Sequence, residues 1–160
     1  MNQLLAKIRE HNGMKISIQS YRTIDKFTED KIKLYRSNGL LPNECRTNSQ
    51  AVARFLGDEA LVIEGFLVTA DKCCYPHMWV KYQNTYIDLT LELFEKTSDS
   101  NEYYELFTHK IDNSKFPKDL LFSERTNKLL ADFHEKNSDC KIKYDELYNK
   151  LHQKNKCNYL

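Results

Sequence analysis

Glycine and proline are scarce, four and three in 160 residues. A chain so poor in both carries no collagen-like repeat, Pro-rich tether or flexible linker, and nothing marks a boundary between domains. One domain over residues 1–160 is expected, a size that buries about 70% of the surface its unfolded form exposes. Charge of one sign is missing too. The 24 basic and 23 acidic residues leave a net charge of +1 and are mixed along the chain. No face is therefore expected to bind nucleic acid or an anionic membrane surface. The ten tyrosines lack a basic cluster around them and read as core and rim, not as a platform for bases. No stretch approaches the ~20 apolar residues of a membrane span, and "MNQLLAKIREHNG" has no apolar run of signal-peptide length. A soluble, cytosolic protein is expected; a signal read by a specialised system that delivers proteins into a host cell would leave no such mark.

The five cysteines, Cys45, Cys73, Cys74, Cys140 and Cys157, are odd in number and irregularly spaced, and two are adjacent. No disulfide framework is apparent, so reduced thiols are expected. The only close grouping of metal-ligand types is Cys73, Cys74 and His77, with no second pair downstream. No metal and no other cofactor is expected.

Hydrophobic spacing supplies the elements. "NQLLAKIREH" puts Leu4, Leu5 and Ile8 on one helical face, and "KISIQSY" alternates as a short strand. "TIDKFTEDKIKLYRSNG" reads as a helix capped by Thr23 and ended at Asn38-Gly39. After Pro42, Ala51, Val52, Phe55 and Leu56 form a helical stripe that Gly57 stops. "ALVIEGFLVTA" is apolar on both faces except Glu64, as in a central strand. "HMWVKYQNTYIDLT" reads as two strands around a Gln83-Asn84 turn, and "YYELFTHKI" as a third. From Ser123 onward the pattern is helical, through Leu129, Leu130 and Phe133 and then Tyr144, Leu147, Tyr148 and Leu151. The fold class is α+β: an antiparallel sheet packed with an N-terminal helix, a core at about 40–112 and a helical C-terminal extension at about 118–160.

"NECRTNS" sets one cysteine among polar residues at the mouth of a helix. With Asn43 as cap, Cys45 falls in the first turn, where backbone N–H groups are free and the helix dipole is positive. Such a position can lower a thiol pKa from about 8.5 to between ~3.5 and ~7.5. The same N–H groups can hold an oxyanion. A nucleophilic cysteine needs an imidazole and a group that orients it. His11, His109, His134 and His152 read as exposed or capping residues. His77 opens a strand beside Trp79, and the return strand carries Asp88. With Gln83-Asn84 as a two-residue loop, Trp79 faces Asp88, and His77 and Asp88 become diagonal neighbours on one face, within side-chain reach.

Cysteine at a helix start, then "H-x-W-V" on one strand and "Y-I-D-L-T" on the next, resembles the papain-like superfamily, in its transglutaminase-like branch. The resemblance spans residues 43 to 90. It implies a papain-like core in which Cys45 is nucleophile, His77 general base and acid, and Asp88 the orienting carboxylate. Both the Cys-to-His and the His-to-Asp gaps are short for that branch, and its upstream glutamine is missing. Asn38, Asn43 and Asn48 are the amides near enough to complete an oxyanion site, or, for Asn48, to hold the loop. Cys74 and Tyr75 in "TADKCCYP", together with Trp79, are expected to line the substrate cleft. The implied activity is acyl transfer on amide or thioester carbonyls: peptide or isopeptide hydrolysis, glutamine deamidation or transglutamination. The partner would be a protein or peptide substrate. Two other readings compete: a non-catalytic adaptor that offers Tyr144, Leu147, Tyr148 and Leu151 to a partner, and a redox sensor at Cys73-Cys74.

Overall fold

The computed structural model describes residues 2–94, 100–112 and 120–157. The start of the expected extension at 118 and the side chains of Asn38, Leu151, His152 and Cys157 lie outside the described residues. Along the described chain run helix α1 (Asn2–Glu10), strand β1 (Met14–Ile16), a 3-10 turn (Tyr21–Thr23), α2 (Glu29–Asn38) and α3 (Cys45–Leu56). Then come β2 (Ala60–Val68), β3 (Cys74–Tyr82), β4 (Thr85–Ile87), α4 (Leu89–Phe94), β5 (Glu102–Lys110), α5 (Glu124–Glu135) and α6 (Ser138–Cys157). The strands form one antiparallel sheet in the order β1-β5-β2-β3-β4. The class is α+β, with β2 at the centre as its two-faced apolar pattern requires. No helix among the described residues is long and apolar enough to cross a membrane.

Alternation divides the sheet into two faces. Val62, Met78 and Val80 point to one of them and pack against Val52, Ala53 and Leu56 of α3. Phe66, Val68 and Tyr104 share that face and pack against Leu129, Leu130 and Phe133 of α5 and Leu4 and Ile8 of α1. The opposite face carries Ile63, Leu67, Trp79 and Tyr103 around Leu91. On β2, Gly65 stands opposite His77. A Cβ there would lie 2.0 Å from the Tyr104 carbonyl and 2.8 Å from the Trp79 ring, so only glycine lets Trp79 lean over this strand.

Glu64 is the one charge in the β2 run and is fully buried. Its carboxylate accepts hydrogen bonds from His109 Nε2 at 2.7 Å, from the Ser123 N–H at 2.8 Å and hydroxyl at 2.7 Å, and from the Thr126 hydroxyl. Ser123 is the N-cap of α5, so Glu64 fastens that helix end to the sheet, where its dipole favours an anion. Burial pushes the Glu64 carboxyl up; the hydrogen bonds from His109, Thr126 and Ser123 outweigh it and hold the group below the usual carboxylate value.

The structure departs from the sequence reading in four places. Helix α2 begins at Glu29 with Thr28 as its cap, because the Thr28 hydroxyl accepts from Lys31 N–H; Thr23 instead closes the 3-10 turn behind Ser20. Strand β3 begins at Cys74, three residues before His77. Neither His109 nor His134 is an exposed or capping residue: His109 holds Glu64, and His134 is buried against Tyr144. Cys73 and Cys140 are joined as a disulfide, with Cα atoms 5.1 Å apart, where reduced thiols were expected. Their separation of 67 residues hides the pairing until α6 folds back on the sheet.

Because the Glu64 value is depressed in the folded state, its stabilisation is present above the unfolded value and lost as pH falls through the folded one. We expect urea midpoints to decline below about pH 4.3. Glu64→Gln should lower stability by about 3 kcal/mol at neutral pH and flatten that acid limb. A wild-type limb retained in the variant would assign it to other carboxylates.

Candidate active site

The loop entering α3 is fixed by one amide. Asn48 Oδ1 accepts from the Leu41 N–H at 2.9 Å, and Nδ2 donates to the Leu41 carbonyl at 2.7 Å and to Thr90 Oγ1 at 3.0 Å. With its hydrogen bonds committed there, Asn48 holds the loop and is not an oxyanion ligand. Asn43 takes a left-handed backbone, φ 63°, which asparagine tolerates better than most residues. It therefore precedes the cap position instead of filling it. The cap position is Glu44, whose side chain makes no capping hydrogen bond, and Cys45 is the first helical residue. The first-turn N–H groups of Cys45, Arg46 and Thr47 thus have neither helical partners nor a side-chain cap. Asn38 is the last residue of α2.

Helix α3 is tied to β3 beside the histidine. Ser49 Oγ donates to the Met78 carbonyl at 2.9 Å, one turn after Cys45 and one residue after His77. Strand β4 pairs with β3 only from Val80 to Tyr82, which leaves the His77 segment without a strand on that side. The Cys45 sulfur lies close enough to the His77 ring to favour its charged form. Cys45 itself is half-buried.

The two-residue turn at Gln83-Asn84 is present, with Tyr82 paired to Thr85 and Gln83 at φ 53°. His77 Nε2 donates to Asp88 Oδ2 at 2.6 Å, the diagonal contact that the register requires. Asp88 does more than orient the histidine. It follows β4 directly and caps α4, its Oδ1 accepting from the Leu91 N–H at 3.2 Å. Its Oδ2 also accepts from the Tyr103 hydroxyl at 2.9 Å. Asp88 is 2% exposed, a burial that a carboxylate tolerates only when its oxygens are paired in this way.

Burial alone would disfavour a charged His77. The Asp88 charge, the Cys45 sulfur and the hydrogen bonds to both outweigh it, and His77 is held well above the ordinary histidine value. With Nε2 committed to Asp88, Nδ1 is the ring nitrogen left for the thiol. A histidine whose charged form is favoured in this way suits the donation of a proton to a leaving group.

The expected cleft residues separate. Trp79 is fully buried, its ring stacked at 25° and 6.1 Å from His77, so it supports the imidazole from behind and lines no cleft. Cys74 is buried among Phe66, Val68 and Tyr104 on the opposite face, because it is already in the strand and its parity turns it inward; burial pushes its thiol up. Tyr75 is half-buried, and its ring lies 6.4 Å from Tyr144 of α6. Burial raises the Tyr144 phenol; because Tyr75 and His77 share one face of β3, the Tyr75–Tyr144 contact sets α6 beside the strand that carries His77.

Tyr103, Ser49 and Thr90 are not among the site candidates of the sequence reading, and Tyr144 enters there only as part of the adaptor surface. For Tyr103 one signal was present: in "EYYELF" neighbouring tyrosines must face opposite ways, one toward α5 and one toward Trp79. Knowing that the second reaches Asp88 requires the strand order. A cavity of about 460 Å³ lies between α1 and α5, lined by Leu4, Lys7, Asp132 and Phe133; Cys45, His77 and Asp88 do not line it. Among the described residues no three histidine, cysteine or carboxylate side chains gather as metal ligands. No family model, curated protein or solved structure matches this chain.

Because the His77 value is raised, its contribution to stability is fully present below about pH 6.5 and lost as pH climbs through the folded value. In Asp88→Asn the burial remains but its main compensation is gone. We expect the His77 ring, followed by NMR, to titrate well above 6.5 in the wild type and to fall to or below that value in the variant. An unchanged titration would mean that Asp88 does not set the charge on His77.

Proposed function

We propose that the protein is a cysteine-dependent acyl-transfer enzyme acting on amide or thioester carbonyls, on a papain-like core trimmed to its essentials. The observation that supports this reading most is one buried imidazole held between a carboxylate and a thiol. That thiol opens a helix whose first-turn N–H groups have no side-chain cap among the described residues.

The chemistry follows from these positions. With the thiol's proton already taken up by His77, the Cys45 thiolate attacks the carbonyl carbon and a C–S bond forms. The developing oxyanion is held by first-turn N–H groups of α3, where preorganised donors in a partly desolvated site stabilise charge strongly. As the tetrahedral intermediate collapses, His77 gives its proton to the leaving amine or thiol and leaves an acyl-enzyme thioester. Water, or an amine, then attacks that thioester through His77 and restores the thiol. Asp88 keeps the ring in register throughout, and Tyr103 and the α4 N-terminus keep Asp88 in place. A protein or peptide substrate fits a thiol at the surface end of a helix more readily than a small ligand, which would be expected in an enclosed pocket.

A second reading, an adaptor built on the same scaffold, is favoured by the exposure of Ile142, Leu147 and Tyr148 on α6. A covalent intermediate separates the two. We expect reduced protein, quenched in acid after exposure to peptide amides and thioesters, to carry the acyl mass on Cys45. Cys45→Ser should fold normally and lose turnover by at least about a thousandfold, since the members of such a triad act as a unit. A Cys45→Ser protein with more than a tenth of wild-type turnover would exclude the covalent route.

A further inference from the structure

We propose that the Cys73–Cys140 disulfide is a thiol-exchange site that latches α6 across the mouth of the Cys45 cleft, and that a dithiol reductant of the thioredoxin class releases it. The inference rests on Cys45 being the nucleophile and adds the control of access to it.

Among the described side chains of α6, one short stripe ties the helix to the sheet. Ile142, Leu147 and Tyr148 are 56%, 39% and 51% exposed, while Cys140 and Tyr144 pack against the core. The stripe joins Cys140 to Cys73 and Lys143 to Asp71, and sets the Tyr144 ring 6.4 Å from Tyr75 and 5.1 Å from His134. On the helix, positions 140, 143 and 144 fall on one face. Their partners at 71, 73 and 75 are alternate residues of the segment that runs into His77. One face of α6 is thereby fastened along the strand that carries the proposed proton donor, since Tyr75 lies two residues before His77 and on the same face.

The disulfide is placed to be exchanged. Cys73 is buried and Cys140 half-buried, so an incoming thiolate attacks Cys140 Sγ. The S–S bond breaks, the Cys73 thiolate leaves, and a mixed disulfide forms on Cys140. The second thiol of the reductant displaces Cys140 and closes the reductant's own disulfide. Two electrons and two protons pass to the protein, which ends with two thiols. Cys74 does not compete as an internal nucleophile, because it is buried on the far face and its thiol is pushed up. Once the bond is cut, Lys143–Asp71 remains as a half-exposed pair, side chains 50% and 48% exposed. Such pairs hold little, so the packing of Tyr144 on Tyr75, His134 and the core is the main described contact left to oppose the lifting of α6.

The test compares alkylation rates at Cys45. Oxidised protein, dithiothreitol-reduced and desalted protein, and a Cys73→Ser/Cys140→Ser variant are treated with iodoacetamide at pH 7, and the labelled thiols are located by mass spectrometry. A thiol count after denaturation should rise by two on reduction. We expect Cys45 to be labelled at least about tenfold faster in the reduced and the variant proteins than in the oxidised one, a tenfold shift in the closed population. Reduction should change nothing further in the variant. Equal, fast labelling in all three would overturn the latch and leave the nucleophile standing. Slow labelling of Cys45 in all three would overturn the latch and the nucleophile together. A thiol count that does not rise would overturn the latch at its premise.

Discussion

A carboxylate buried to 2% exposure has to be satisfied from several directions at once, and the way Asp88 is satisfied organises the middle of this protein. It takes hydrogen bonds from His77, from Tyr103 and from the Leu91 N–H. Those donors belong to β3, β5 and α4, so one side chain joins three elements that are apart in sequence. Removing any donor leaves a buried charge underpaired, a costly state. The positions of the imidazole and of the first turn of α4 follow from that requirement. Gly65 makes the space around it, since any side chain there would meet the Tyr104 backbone and the Trp79 ring.

The thiol side is held by a second, separate set of bonds. Asn48 clamps the loop at Leu41 and reaches Thr90 on α4, while Ser49 reaches the backbone at Met78. These bonds leave the helix on which Cys45 stands little room to shift along β3. The thiol and the imidazole therefore meet through packing on both sides, with no mobile loop between them. On the proposed acyl-transfer reading, this is the preorganisation the reaction needs, because donors already in place need not reorganise when charge develops. It also explains how a short chain can hold the constellation with no more than two residues between β3 and β4 and one between β4 and α4.

What was legible in the sequence was local. The two-residue turn at Gln83-Asn84 fixes parity, and parity alone sets His77 beside Asp88. The amphipathic stripe after Cys45 marks a helix, and the two-faced apolar run at 60–68 marks the central strand. The rest depended on contacts distant in sequence. That Asp88 both caps α4 and orients His77 was hidden, because "YIDLT" reads as strand until the chain turns. The roles of Tyr103 and Glu64 needed the order β5-β2-β3. The Cys73–Cys140 bond needed the return of α6, and Cys74 was misplaced because the strand begins before the histidine. The error at α2 was different in kind: Thr23 and Thr28 are both good caps, and tertiary packing chose the second.

The central claim is that His77 makes one of five cysteines chemically distinct, and the most direct measurement is iodoacetamide labelling of the reduced protein at pH 6. Ordinary thiols are almost entirely protonated there, with a pKa of about 8.5. The account predicts that Cys45 is labelled well before Cys73, Cys74, Cys140 and Cys157, and that His77→Ala abolishes this preference while the protein stays folded. Labelling of Cys45 at the pace of the other exposed thiols, unchanged in His77→Ala, would contradict it.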